Sequence, residues 1–500
     1  MANCESHQSE EEKRYVTGFF KGKSVFVTGA TGFMGKVLIE KLLRSCPDIG
    51  NVYVLVREKR KNPYERIKDL TAIPLFDVVK KQRPEAIEKL KPVKGNVTEL
   101  GLGLSDEDRD LLVREVSVVF HAAASVRFDD SLAYATILNV RGTRETINLA
   151  MEMKNLKVFV HVSTAYCNLH ETVVEEKLYP APADWREMIS IAENTEDLTL
   201  RILTPKILGT YPNTYTFSKG LAEHLVNDHS DKIPSVIIRP TILISTTKEP
   251  FPGWGDTFNG PVGLLIAASM GVVHVSYSRR SCVADYMPVD IAVNATILAA
   301  WKKGTESSPK EVSVYQCSSH KHQALTLKEV VDIGQSLIWD YPLGYCLWYP
   351  SGVITDNWFI YFIAAMMFHI IPAVFFDLLL RIAGKKPILL KIARRIYLAN
   401  TALSHFILNE WKFSNEKALE LEKYLCGSDI QTFSYHKDEI DHMKFFRNGL
   451  VGARKYLLKR SEDSLESERR HLKRMYYLAL LTNSLFAGLI LWYIYTKFIA

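Results

Sequence analysis

The 500-residue chain is poor in several of the features that announce a protein's class. Its seven cysteines, at 4, 46, 167, 282, 317, 346 and 426, make no CxxC pair and no spacing suited to zinc. An odd number of scattered thiols fits a reduced, cytosol-facing protein and excludes a disulfide framework. No arginine-rich tract is present and the formal net charge is only +6, which argues against nucleic acid as a partner and suits an anionic cofactor or a membrane surface. The opening MANCESHQSEEEKR has no apolar stretch, so it does not read as a secretory signal; residues 1–20 are expected to be a disordered tail. No internal repeat is visible. The whole sequence is 47% hydrophobic and 24% charged, enough to bury a sizeable core in two or three domains.

What is present begins with short apolar, β-rich runs alternating with helical stretches: KSVFVTG, NVYVLVR, VSVVFHAAA, VFVHVST and SVIIRP. Strands this apolar are covered on both faces, which predicts an α/β fold with a Rossmann-like, doubly wound parallel sheet over residues 21–350. The alternation dissolves after about residue 275, and EVSVYQC then reads as one more strand. Residues 383–465 are basic and helical in pattern, a mainly helical C-terminal domain.

In VFVTGATGFMG, a β-run meets Gly29, Gly32 and Gly35 ahead of the helical KVLIEKLLRS. Such a turn lets the backbone approach a pyrophosphate and present helix N–H groups to it, so Gly29, Thr31, Gly32, Phe33 and Gly35 are read as dinucleotide-binding. The spacing is GxxGxxG rather than GxGxxG; the strand–turn–helix context carries the assignment. The second strand ends at Arg57, where an acidic residue would accept hydrogen bonds from a free ribose 2′-OH. Arg57 and Lys59 suit a 2′-phosphate and favour NADPH, although βα loops carry such charges for solvation too. Asn96 and Val97, in KGNV, would border the adenine. Ala122 and Ala123, after VSVVF, would let the cofactor lie close to the backbone, and small residues there also serve helix–sheet packing.

In NTYTFSKGLAEHLV, Phe217, Leu221 and Leu225 form one apolar stripe. Tyr215 and Lys219 lie about 40° apart on the wheel and roughly opposite that stripe, so the tyrosine is not needed for packing. Ser163 and Thr164 end the VFVHV strand on the same sheet edge as the glycine turn, where open α/β sheets bind ligands. A hydroxyl, a phenol and an ammonium would converge there beside a nicotinamide. The ammonium is expected to lower the phenol's pKa, letting the pair donate a proton to a carbonyl oxygen as hydride arrives.

TGATGFMG, HAAASVRF, HVSTAYCN and YTFSKGLAE, in this order, resemble the extended short-chain dehydrogenase/reductase superfamily. More narrowly, IIRPTIL, PGWGDTFNGPVG, ADYMPVD and WKFSN…GLVGARKYLLK resemble the alcohol-forming fatty acyl-CoA reductases, and the likeness covers nearly the whole chain past residue 20. The resemblance implies Tyr215 and Lys219 as the catalytic pair, with Thr164 or its neighbour Ser163 binding the carbonyl oxygen. It also implies Pro240 and Ile242, in IIRPTIL, as cofactor neighbours. The implied reaction is reduction of a long-chain acyl-CoA by two NADPH to a fatty alcohol, releasing CoA, with no metal. Cys167 reads as packing. The rival readings are a membrane-bound hydroxysteroid dehydrogenase of the same superfamily and a nucleotide-binding scaffold without turnover.

Two apolar runs point to a lipid bilayer. Tyr476–Tyr495 is long enough for one span, so 475–496 is read as a C-terminal membrane anchor. Arg469, Arg470, Lys473 and Arg474 on its N-terminal side put the catalytic bulk in the cytosol, at the endoplasmic reticulum in preference to the peroxisomal membrane. Residues 358–382 are also apolar, but crossing there would place 20 Lys+Arg against 12 Asp+Glu, from 381 to 474, on the far side. A helix or bent helix pair that dips into the leaflet or lines an acyl channel is preferred to a span.

Overall fold

The apolar runs become strands of one sheet. In the computed structural model, which describes residues 14–498 apart from 59, 259–260, 307–310, 320–323 and 436–439, these are Ser24–Thr28 (β1), Val52–Val56 (β2), Leu90–Lys94 (β3), Val116–His121 (β4), Val158–Val162 (β5), Ser235–Pro240 (β6) and Ser313–Cys317 (β7). All neighbours pair in parallel, in the order β3-β2-β1-β4-β5-β6-β7. The strand order therefore reverses between β1 and β4, which opens a crevice at their carboxyl ends. Every residue of β1, β2, β4, β5 and β6 is buried, as strands covered on both faces must be. The edge strand β3 is partly exposed and tolerates Pro92, which a central strand would not.

The helices that matter for the crevice are Phe33–Ser45 (α1), Gly142–Glu152 (α2), Thr214–Asn227 (α3) and Val289–Thr305 (α4). Ile147 and Leu149 of α2 and Phe217, Leu221 and Leu225 of α3 share a core cluster with Phe26, Val119, Phe159 and Ile237 of the sheet. The predicted apolar stripe of α3 is thus what holds that helix to the sheet.

The chain divides into two compact units. One gathers residues up to 251 with 285–324 and 411–440; the other gathers 252–284, 325–410 and the residues from 441 onward. These boundaries differ from the expected 21–350 and 383–465. Residues 411–440 return to the sheet-bearing unit because a buried carboxylate, Glu176, receives the backbone N–H groups of Gln316 (2.9 Å), Lys417 (2.5 Å) and Ala418 (3.0 Å). Lys412–Phe413 also pairs in parallel with Val173–Val174. At the other end of the chain the expected tail is shorter than 20 residues. Val16–Phe20 is a helix with Val16, Phe19 and Phe20 buried, its Val16 N–H bonded to Asp429 at 2.6 Å.

The second unit contains Trp358–Ile382 (α5, with a π-turn at Met366–Ile370), Leu389–Leu408 (α6), His442–Gly452 (α7) and Leu465–Phe498 (α8). In it, two motifs far apart in sequence meet: a Cβ on Gly452 of α7 would collide with the carbonyl oxygen of Gly253 in PGWG. Helix α8 starts ten residues earlier than the sequence suggests. Its base is held by Leu472, which is buried, and by Tyr476, whose ring meets those of Trp339 (5.5 Å) and Tyr349 (5.1 Å). From Tyr477 on, most of the large apolar side chains of α8 are exposed. By length and composition α5 and α8 are both able to cross a membrane.

Candidate active site

The candidate residues fall at the carboxyl ends of six neighbouring strands. In spatial order they are Asn96 and Val97 after β3, Arg57 after β2, Gly29 to Gly35 after β1, Ala122 and Ala123 after β4, Ser163 and Thr164 after β5, and Pro240 and Ile242 at β6. With strands about 4.8 Å apart, this row spans about 24 Å, a length suited to a dinucleotide lying across the edge.

At the glycine turn, Gly29 has φ +75° and a Cβ there would come within 2.6 Å of the Ala122 and Ala123 backbone, so only glycine fits. Gly35 lies so close to the Gly29 carbonyl that a side chain would push α1 off the turn. Gly32 is the N-cap of α1 and supplies no side-chain cap, so the positive end of the helix is left for an anion. Thr28 fixes the far side of the crevice: its Oγ1 meets His121 Nδ1 at 2.8 Å and accepts the Ala123 N–H at 3.3 Å. Burial lowers the His121 pKa to about 3, which keeps that imidazole neutral beneath the site.

Arg57 is exposed at the end of β2, its carbonyl bound by Arg66 at 2.5 Å, while Glu58 is paired with Lys94. Lys59 lies outside the described residues. The Asn96 amide is engaged by its own loop: Nδ2 donates to Glu99 at 3.0 Å and Oδ1 accepts the Thr98 N–H at 3.2 Å. Val97 is buried, and a Cβ on Gly142 of α2 would come within 2.8 Å of its carbonyl.

Helix α3 opens on Asn213, whose side chain caps the Thr216 N–H at 2.9 Å, which fixes the first turn and Tyr215 with it. The Thr164 side chain faces the Tyr215 hydroxyl closely enough to favour its ionised form, and the Tyr215 ring stacks on Phe128 at 5.9 Å. Ser163 turns the other way, toward Cys167 (3.9 Å) and Glu223, because adjacent residues leaving a strand point to opposite sides. One turn beyond Tyr215, the buried Lys219 ammonium donates to the Val162 carbonyl at 2.7 Å. The expected acidification of the phenol is not seen. Burial pushes the Tyr215 pKa above its usual range, the Thr164 side chain offsets part of the rise, and Cys167 adds to it. Burial also brings Lys219 down to about 8, against the opposing pull of Glu223. A phenol held neutral is nevertheless the form that donates a proton, and so it suits reduction.

Several supporting residues escape sequence reasoning. Glu223, one turn after Lys219 on the same face, forms a buried bidentate pair with Arg239 of β6 at 2.8 and 2.6 Å. Burial alone would raise the Glu223 pKa, but the guanidinium outweighs it and keeps the carboxylate charged. The Cys167 thiol donates to Glu223 at 3.3 Å, and burial pushes its pKa up, so it stays an inert thiol. Asn139, in a π-turn ahead of α2, accepts the Ser125 N–H at 2.9 Å and donates to Ser218 at 2.9 Å, tying the loop after β4 to α3. Finally, Trp411 and Phe413 of the returning segment pack on Tyr166 (6.3 and 5.0 Å), behind the loop that bears Thr164.

Comparison with known proteins follows the same lines. The NAD-binding domain model of the male sterility protein family matches residues 27–296, and a second model of that description, Sterile, matches 368–460. Similar curated proteins include fatty acyl-CoA reductase 1 of Xenopus laevis, 39% identical over 91% of this chain and 89% of its own length. The Homo sapiens protein of that name is 37% identical over the same shares, and fatty acyl-CoA reductase wat of Drosophila melanogaster is 34% identical over 99% and 95%. The chain belongs to the fatty acyl-CoA reductase family, within the extended short-chain dehydrogenases. It is an oxidoreductase whose first unit takes a nicotinamide cofactor. Among solved structures, the terminal reductase domain of the myxalamid pathway gives a TM-score of 0.58 at 18% identity, covering 87% of this chain and 90% of its own. The reductase domain of a nonribosomal peptide synthetase from Mycobacterium tuberculosis gives 0.57 at 18%, covering 87% and 91%. At that identity the likeness concerns the fold.

Proposed function

We propose that this reductase converts a long-chain acyl-CoA to a primary fatty alcohol with two equivalents of NADPH, releasing CoA through an enzyme-bound aldehyde. The reading rests above all on the Tyr215 hydroxyl held against Thr164, with Lys219 one turn away at the end of β5.

The cofactor fits the residues present: a glycine cradle against Ala122–Ala123, a helix end without a side-chain cap, and an exposed Arg57 to meet a 2′-phosphate. When bound it supplies hydride. Thr164 and Tyr215 then hold the thioester carbonyl oxygen, and Tyr215 passes its proton to that oxygen as negative charge develops. The hemithioacetal so formed expels CoA as thiolate while its hydroxyl proton returns to the Tyr215 phenolate, which leaves an aldehyde and a protonated Tyr215. The aldehyde oxygen takes the same two hydroxyls as partners in the second reduction and receives a proton again from Tyr215. Lys219 supplies a donor for the nicotinamide ribose. Glu223 and Arg239 hold Lys219 in place from the far side.

The apolar α8 is read as the anchor, with the sheet-bearing unit in the cytosol and the endoplasmic reticulum as the membrane. Purified full-length protein incubated with palmitoyl-CoA and NADPH should release one thiol and one hexadecanol per two NADPH consumed, with NADH a poorer donor. Absence of thiol release, or oxidation of a ring alcohol instead, would overturn the assignment.

A further inference from the structure

We infer that α5 and α6 form a hairpin that beds into a single leaflet of an anionic membrane and leaves on the side it entered, so that α5 does not cross. The inference rests on chain topology and surface chemistry and is independent of the catalytic reading.

Helix α5 is inverted relative to an ordinary surface helix. Tyr361, Ala365, His369, Ala373 and Asp377, at a spacing of four, are its buried residues, and they include its strongly polar side chains except Arg381, which is exposed in the last turn. The remaining surface presents Phe359, Ile363, Phe368, Phe375, Leu378 and Ile382, each exposed. A helix with its polar stripe turned inward and its apolar face outward is arranged for a solvent that is not water.

The ends of the hairpin meet at one short strand. On entry, Val353–Thr355 pairs in parallel with Val275–Tyr277, and the Ser278 N–H donates to the Thr355 carbonyl at 2.9 Å. On exit, Asn400 of α6 accepts the Tyr277 N–H at 3.0 Å and donates to Ser276 at 3.1 Å, and the Arg279 N–H reaches the Ile407 carbonyl at 3.0 Å. Midway along α5, His369 accepts the His274 N–H at 2.8 Å, so the first half of the helix lies against its own unit. At the tip Asp377 accepts the N–H groups of Ile388, Leu389 and Leu390, each at 2.9 Å, which closes the turn into α6.

Charge identifies what covers the apolar face. Residues 378–409 contain six cations (Arg381, Lys385, Lys386, Lys391, Arg394 and Arg395) and no Asp or Glu. All six are exposed. Phosphate headgroups above acyl chains match cations bordering an apolar face. A second protein surface would have to bring both an apolar patch and a matching set of carboxylates. Crossing would carry these six charges to the far face, against the usual placement of Lys and Arg.

The test uses the full-length chain in sealed vesicles with the catalytic unit outside. A fluorophore on Phe375→Cys should be quenched by lipids brominated on their acyl chains, more strongly with phosphatidylserine present than with phosphatidylcholine alone. In a separate variant, the thiol of Lys386→Cys should react with a membrane-impermeant maleimide without detergent, above the background of the unsubstituted chain. Changing Lys385, Lys386, Lys391, Arg394 and Arg395 together to Gln should at least halve the phosphatidylserine-dependent quenching and leave NADPH binding intact. A tip that reacts only after detergent would mean that α5 crosses. An unquenched label at 375 would mean that protein covers the face. Equal quenching in both lipids, unmoved by the Gln changes, would remove the anionic headgroup from the proposal.

Discussion

Helices α3 and α5 each turn a polar stripe inward, at every fourth position in α3 and at every eighth in α5, where Ala365 and Ala373 lie between. In α3 the stripe is Tyr215, Lys219 and Glu223, and each finds a polar partner: Thr164, the Val162 carbonyl and Arg239. The other side of α3 is buried too, with Phe217, Leu221 and Leu225 in the core, so the helix is enclosed by protein. In α5 the stripe of Tyr361, His369 and Asp377 is likewise held by protein, but the large apolar side chains of the opposite face are exposed. An inward polar stripe therefore lies on a helix enclosed by protein in one unit and on a helix with an exposed apolar face in the other. What separates them is the company of the apolar side, not the composition of the polar one.

The sharpest way to break the comparison is at the phenol. Tyr215→Phe should lower kcat by about a thousandfold, since the proton donor is gone, while NADPH binding measured by fluorescence titration stays near wild type. Wild-type turnover would reduce the α3 stripe to packing. The next largest effect lies beneath it. Arg239→Met leaves Glu223 buried without its cation and should cost about 3–5 kcal/mol in denaturant unfolding. Adding Glu223→Leu should restore most of that loss, which distinguishes an orphaned charge from a lost contact.

The pH dependence of the same stripe gives a smaller and more specific effect. The folded-state pKa of Lys219, about 8, lies below its ordinary 10.5, so the folded protein loses this proton before the unfolded one does. Activity that needs the ammonium should fall by roughly tenfold per pH unit above about 8. Over the window from about 8 to 10.5 the stability contribution moves the opposite way and improves, because the folded state no longer holds a desolvated charge. A pH profile of kcat/KM alongside thermal unfolding checks both signs, and Lys219→Arg should move the activity limb upward. The smallest effect belongs to α5: Asp377→Ala removes the cap of α6 and should cost about 1 kcal/mol, read by denaturation in mild detergent with turnover unchanged.

Much of the sheet could be read in advance because β1, β2, β4, β5 and β6 are buried along their whole length and so are apolar along their whole length. The glycine turn was legible for a related reason, since its geometry forbids other residues. Long-range polar pairing left weaker traces. An arginine inside the run SVIIRP and a glutamate four after Lys219 were visible, yet nothing local says that they face one another. Choosing between Ser163 and Thr164 needed the direction of the chain as it leaves β5, and the pKa of Tyr215 needed its burial. The domain boundary was hidden more deeply. WKFSN reads as part of the helical C-terminal region, whereas the partner that reclaims it, Glu176, lies 241 residues upstream of Lys417.

That recapture bears on how the protein is made. Chain leaving the ribosome exposes α5 well before Trp411 to Tyr424 are available to complete the unit that begins near Val16. Domain-by-domain folding during synthesis is therefore interrupted here. The first unit must wait, with Glu176 still lacking the N–H groups of Lys417 and Ala418, while an apolar helix pair is already outside. Early engagement of that pair by a membrane or a holdase would then protect the chain through the interval before its first unit can close.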